Sequence, residues 1–176
     1  YLSSYKKEVI LELKNTFKLS NDMKAPRIEK VIVNVGIGKH LKDASMIEEI
    51  LKSLTKITGQ KPLMTKSKKS IAGFKVREGQ EIGVKVTLRG KRQWDFIEKL
   101  VGTALARIRD FQGIKISSVD QSGNLHIGIR EHLVFPEIIP ENVLNTFSLE
   151  ISVVTSAKNK EEGLALFKAL KFPLAQ

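Results

Sequence analysis

The side chains best suited to chemistry are few and scattered. Histidine occurs at His40, His126 and His132, and no two of them stand at the spacing of a metal-binding helix or loop. Each is expected to be a surface or turn residue. The paired carboxylates Glu48-Glu49 and Glu161-Glu162 fall where first helical turns are predicted, and there they stabilise the helix dipole without acid–base work. No Gly-x-Ser-x-Gly elbow is present, and cysteine is absent, which removes thiol nucleophiles, thiolate zinc sites and disulfides together. Gly36-Ile37-Gly38-Lys39 follows a predicted strand, as a phosphate-binding loop would. It lacks both the third glycine of a dinucleotide fingerprint and the Gly-Lys-Ser/Thr ending of a P-loop. No enzyme, no cofactor, no metal and no small-molecule substrate is expected.

The chemistry that is concentrated is cationic. The 176 residues carry a net charge of +11, and the stretch from Lys61 to Arg92 alone supplies +8 of it. Ten cations lie there (Lys61, Lys66, Lys68, Lys69, Lys75, Arg77, Lys85, Arg89, Lys91, Arg92) against the two anions Glu78 and Glu81. Clustered Lys and Arg gain free energy by releasing counterions from phosphates, so the expected partner is a nucleic acid. Interleaved Ser, Thr and Gly add the hydroxyls and bare amides that contact phosphate and sugar. Aromatic residues are 6% of the chain, without the paired rings that stack splayed bases. No helix-turn-helix or zinc-finger spacing favours duplex DNA. Structured RNA, read by shape, 2′-hydroxyls and phosphates, fits best.

These groups need a scaffold. The 3.6 period predicts helices over Tyr5–Phe17 (Val9, Ile10, Leu13, Phe17) and from a Ser45/Glu48 capping box through Ile57, burying Ile47, Ile50, Leu51, Leu54 and Ile57. Gly59 stands where a left-handed C-cap belongs. The longest helix is predicted over Trp94–Ile108, and a last one runs from an Asn159/Glu162 box to the stop at Pro173. Alternation predicts strands at Arg27–Val35, near Pro62–Thr65, at Ile82–Arg89, over Leu125–Ile129 and over Phe147–Thr155. In Ile82–Arg89 the off-core set is Gly83, Lys85, Thr87 and Arg89, a cationic face on one strand.

Irregular alternation of helices and strands favours an α+β fold, with a mainly antiparallel or mixed sheet, in a single domain spanning 1–176. Lys66–Gly83 reads as a long, basic, weakly periodic loop with its tip at Gly73–Gln80, and loops of that length are usually functional. No apolar run approaches a membrane span, and Tyr1–Lys7 has no signal-like apolar centre, so a soluble, cytoplasmic protein without a membrane partner is expected.

Several strings, in order along nearly the whole chain, resemble the bacterial large-subunit ribosomal protein L-five family. They are Asn34-Val35-Gly36-Ile37-Gly38, Gly59-Gln60-Lys61-Pro62, Thr65-Lys66-Ser67-Lys68-Lys69-Ser70-Ile71-Ala72-Gly73-Phe74-Lys75 and Lys85-Val86-Thr87-Leu88-Arg89-Gly90. Arg107-Ile108-Arg109-Asp110-Phe111, Phe135-Pro136-Glu137-Ile138 and Glu161-Glu162-Gly163 complete the set. The resemblance implies a structural, non-catalytic protein that holds 5S rRNA on a concave sheet face in the central protuberance of the large ribosomal subunit. By similarity Asn34, Gly36, Gln60 and Thr87 are RNA contacts, and Thr65, Lys66, Lys69, Arg89 and Arg92 phosphate contacts. Gly73, Phe74, Lys75, Val76, Arg77, Glu78, Gly79 and Gln80 correspond to a loop that reaches the peptidyl-site tRNA. Further implied partners are 23S rRNA, neighbouring ribosomal proteins and a small-subunit head protein. The alternatives are a free RNA chaperone and an RNA-modifying protein using the Gly36–Gly38 turn.

Overall fold

The computed structural model describes residues 8–40, 43–143 and 145–175. Strand β1 (Ile28–Gly36) forms because its residues alternate: Val31, Val33 and Val35 are buried, while Glu29, Asn34 and Gly36 are exposed. It pairs antiparallel with β3 (Glu81–Leu88) on one side and β5 (Leu149–Thr155) on the other. β2 (Leu63–Lys66) and β4 (Leu125–Ile129) complete a five-stranded antiparallel sheet in the order β2-β3-β1-β5-β4. The predicted α+β architecture is thus observed, with the mixed-sheet option resolved as antiparallel. Predicted strand limits are shifted by a residue or two, as when β1 runs on through Gly36.

The core faces of the strands join one apolar cluster with four helices: α1 (Ile10–Phe17), α2 (Ala44–Thr58), α3 (Lys91–Lys99) and α4 (Lys160–Ala169). α2 inserts Met46, Ile50, Leu54 and Ile57, each worth about 1.5–3 kcal/mol when fully buried. Ile47 and Leu51, predicted to be core, sit half-buried at the flank, so the apolar stripe is rotated toward Met46. The Ser45/Glu48 capping box does not form: the helix starts earlier, with Asp43 rather than Ser45 at the N-cap and no side chain capping it. The Asn159 half of the Asn159/Glu162 box forms, while the glutamate reaches one residue further back. Asn159 Oδ1 accepts from the Glu162 N–H at 2.9 Å, while Glu162 Oε2 accepts from the Lys158 N–H at 2.9 Å. Gly59 caps α2 in the left-handed region at φ 65°, with its N–H on Thr55 O.

The helical run predicted as longest is interrupted. α3 passes into a π turn at Leu100–Ala104 and a 3-10 turn at Leu105–Arg107. Gly102 and Thr103, poor helix formers, lie in the π turn. α1 is described only from Glu8 onward, so the predicted start at Tyr5 lies outside the described residues. α4 ends at Ala169, before Pro173, and the tail beyond it pairs with Ile114: the Ile114 N–H donates to Pro173 O at 2.7 Å.

Two buried details test the packing. Gly123 and Gly163 cross so closely that a Cβ on Gly163 would lie 2.5 Å from Gly123 Cα. Gly163→Ala should lower stability by about 1–3 kcal/mol, read as a lower urea midpoint at unchanged slope. His132, expected to be a surface or turn residue, opens the 3-10 turn His132–Val134 but is 0% exposed and stacked on Phe147 with ring centroids 3.9 Å apart. Its Nδ1 accepts from the Phe147 N–H at 3.4 Å, and its Nε2 has no partner. Burial pushes its pKa below the ordinary histidine value, partly opposed by the Glu49 charge. The unfolded chain therefore takes up this proton first as pH falls. The stability contribution is complete above about pH 6.5 and is lost progressively below it. Chemical denaturation at pH 7.5 and 5.5 should show a smaller acid loss for His132→Phe than for the parent.

Candidate nucleic-acid interface

Among the described residues, nothing covers the face of the sheet away from the core. Strand register places its side chains in rows. One row holds Thr65, Gly83 and Gly36; the next holds Leu63, Lys85, Asn34, Glu150 and Gly128; a third holds Thr87, Ile32, Ser152 and His126. Every residue of this set except Gly83 is exposed or half-exposed, so no described helix packs there. Gly83 is hidden by its neighbour: a Cβ on it would lie 2.7 Å from Thr65 Oγ1. Gly36, with nothing within 4 Å of where a Cβ would stand, leaves a shallow bare stretch of backbone beside Asn34, open to close approach by another chain.

Of the residues singled out from sequence, Asn34, Gly36, Thr65 and Thr87 meet on this face. Gln60 and Arg92 join them from the side. Gln60 follows the C-cap of α2, and its Nε2 donates to Thr87 O at 3.1 Å while its Oε1 accepts from Arg92 at 3.3 Å. The amide is therefore fixed in orientation by the sheet and by α3. Arg89 is exposed just beyond β3, and Lys66 is exposed at the end of β2 opposite Glu81. Lys69 and Gly73–Gln80 are not on the sheet face. They belong to the connection between β2 and β3.

That connection is more ordered than expected. The Ser67 N–H donates to Gln80 O at 2.8 Å and the Gly79 N–H to Ser67 O at 3.0 Å, while Ile71 and Val76 exchange backbone bonds. Side chains add bonds of their own, including Glu78 N–H to Ser70 Oγ and Arg77 N–H to Gln80 Oε1. The long irregular loop of the sequence reading is thus an extended hairpin. Its tip is the Ala72–Phe74 turn closed by Lys75 in the left-handed region (φ 53°). Gly79 and Gln80, expected at the tip, lie at its base because they pair with Ser67. Phe74 is 77% exposed at the tip, flanked by Lys75, and Arg77 and Glu78 are exposed farther along.

Electrostatics follow from what is left unpaired. Among the described residues, none of the ten cations from Lys61 to Arg92 forms an ion pair; the pairs that form, such as Lys14–Asp22, Lys52–Glu48 and Lys99–Glu137, lie elsewhere. Exposed and unneutralised, these cations present a standing demand for phosphate. Enzymatic readings find no support in the Gly36–Gly38 turn. Ile37 is buried, and its N–H is taken by Ile82 O at 3.0 Å, extending the β1–β3 pairing rather than cradling a ligand. Among the described residues no group of three potential metal ligands gathers, and no helix is long and apolar enough to cross a membrane.

Sequence reasoning missed the far half of the face. His126, Gly128, Arg130, Glu150 and Ser152 come from β4, its end and β5, and the signal was available in the alternation Leu125, Ile127, Ile129 against His126 and Gly128. His126 Nδ1 lies 3.0 Å from Ser152 Oγ, and its Nε2 lies 3.5 Å from Asp120. Burial acts to raise the Asp120 pKa, but hydrogen bonds from Asn124, His126 and Ser122 outweigh it and hold the carboxyl below its ordinary value.

Residues 21–77 match the family model of ribosomal protein L5, and residues 81–174 match the model of that ribosomal family's C-terminus. The two segments meet within the β2–β3 hairpin and contribute strands to the same sheet. A curated relative, large ribosomal subunit protein uL5 of Halothermothrix orenii, is 48% identical over 172 residues, covering 98% of this chain and 96% of that protein. An uncovered polar sheet face, a block of unpaired cations and these matches converge: the chain belongs to the ribosomal protein L5 family and is a structural constituent of the large ribosomal subunit, not an enzyme.

Proposed function

We propose that the protein anchors 5S rRNA in the central protuberance through the open face of its sheet, with the β2–β3 hairpin reaching the peptidyl-site tRNA. The observation that carries this reading is the convergence of Asn34, Thr65, Thr87 and Gln60 with the bare Gly36 on a face that no described residue covers. Amides and hydroxyls there can donate and accept at ribose 2′-OH groups and base edges. Lys66, Lys69, Arg89 and Arg92 surround the face with phosphate-seeking charge, while Gly36 admits a sugar-phosphate backbone close to the strands. The hairpin tip offers a different chemistry. Phe74 presents a ring to a nucleotide, and Lys75 and Arg77 meet phosphate. 23S rRNA and a small-subunit head protein complete the proposed set of partners, on the strength of family membership.

Titration against 5S rRNA and a structured control RNA of equal length, at two salt concentrations, tests the face. Preference for 5S rRNA that survives the higher salt supports it, and equal salt-sensitive binding to both rejects it. Replacing Lys66, Lys69 and Arg89 together by alanine should weaken binding and reduce the slope of log K against log salt by roughly 2–3. The double variant Phe74→Ser, Lys75→Asn keeps a residue tolerant of left-handed backbone at position 75. It should retain parental thermal stability and 5S rRNA affinity, yet weaken peptidyl-site tRNA binding by reconstituted large subunits. Unchanged tRNA binding would remove the hairpin from that role.

A further inference from the structure

The open face is not uniformly cationic. Glu150, 54% exposed at its side chain, stands in the same cross-sheet row as Lys85 and Asn34, beside Gly128. It borders a cleft of about 500 Å³ lined by Asn34, Gly36, His126, Gly128 and Arg130. A Cβ at Gly36 or Gly128 would meet nothing within 4 Å, so the floor of the cleft is open backbone. Among the described residues, Glu150 has no partner closer than His126 Nδ1 at 4.0 Å, and that nitrogen already lies 3.0 Å from Ser152 Oγ. Its carboxylate is thus left with acceptor capacity aimed at solvent, in a face whose proposed ligand is a polyanion.

A carboxylate accepts but does not donate, and it repels phosphate. The RNA groups that satisfy it are N–H donors on base edges. Guanine offers two side by side, N1–H and N2–H, matching the two carboxylate oxygens. We propose that this cleft is a nucleotide subsite in which Glu150 accepts both donors of an unpaired guanine and Arg130 holds its phosphate. Gly36 and Gly128 leave the room, and Asn34 supplies an amide to the same nucleotide. This assignment rests on the open face being the RNA interface and adds to it a base-reading element, where the cations read only charge.

The sign of one substitution decides the matter. Glu150→Gln is nearly isosteric and exposed, so parental thermal stability is expected. A base-reading Glu150 predicts a roughly 10- to 100-fold loss of affinity for 5S rRNA, the span of one bidentate base contact, with little change for a control RNA. A merely repulsive surface charge predicts the opposite: unchanged or tighter binding to every RNA alike. That second outcome overturns the subsite and leaves the face itself intact. A parent protein without preference for 5S rRNA would remove both. Guanosine and inosine monophosphates provide an independent probe, since inosine lacks the N2 amino group. Amide shifts of Gly36 and Gly128 in the parent protein should respond to the guanosine nucleotide at several-fold lower concentration. Equal responses would overturn the guanine assignment.

Discussion

The two-residue period of β1 is the constraint on which everything else hangs. It is the central strand, paired on both sides, and its valines at 31, 33 and 35 lock into the core against Leu88, Val86 and Val84 of β3 and Val153 and Ile151 of β5. The intervening positions must then point the other way. Asn34 and Gly36 are presented to the outside because their neighbours in sequence are needed inside. A slip of one residue would carry three valines into water and an amide into the core, which burial of apolar side chains forbids by several kcal/mol. The composition of the outer face is therefore held by the same energy that holds the fold.

Antiparallel register extends that control to residues far apart in the chain. Asn34 is set opposite Lys85 on one side and Glu150 on the other, and Thr87 opposite Ile32. Gln60 is then secured by two hydrogen bonds that span the C-terminal end of α2, β3 and α3. A polar group whose orientation is settled by such bonds loses little rotational freedom on meeting a ligand, which favours tight and selective recognition. Rigid placement rather than reactivity is what this molecule supplies, consistent with a structural member of a ribonucleoprotein.

Much of this was legible before any coordinates. Strand alternation identified the inner and outer residues of β1 and β3, and clustering of charge marked Lys61–Arg92. Four things were not legible, each for a physical reason. The pairing of Asn34 with Glu150 joins residues more than a hundred positions apart, so alternation gives β4 and β5 an outer side without showing that it continues the outer side of β1. The hairpin beyond Lys66 looked irregular because its order comes from turn bonds and side-chain caps such as Ser70 to Glu78, not from hydrophobic period. The burial of His132 was hidden because nothing local reveals that Phe147 will stack on it. At the start of α2, Ser45 and Glu48 had the right spacing, but the chain entered the helix at Asp43, too early for the box to close.

The margin of the sheet at β2 has a bearing on the life of the chain before it meets RNA. β2 has four residues, its pairing with β3 is interrupted by a register shift between Thr65 and Lys66, and the continuing segment carries Lys66, Lys68 and Lys69. A strand margin of this kind is a poor template for another copy: it is short, its backbone is kinked, and like charges would face one another across any new ladder. The lysines that suit the chain to a polyanion thus also discourage self-aggregation while that polyanion is absent. Neutralising them would expose the newly made protein to edge-to-edge association, so charges assigned to the proposed RNA contact also guard solubility.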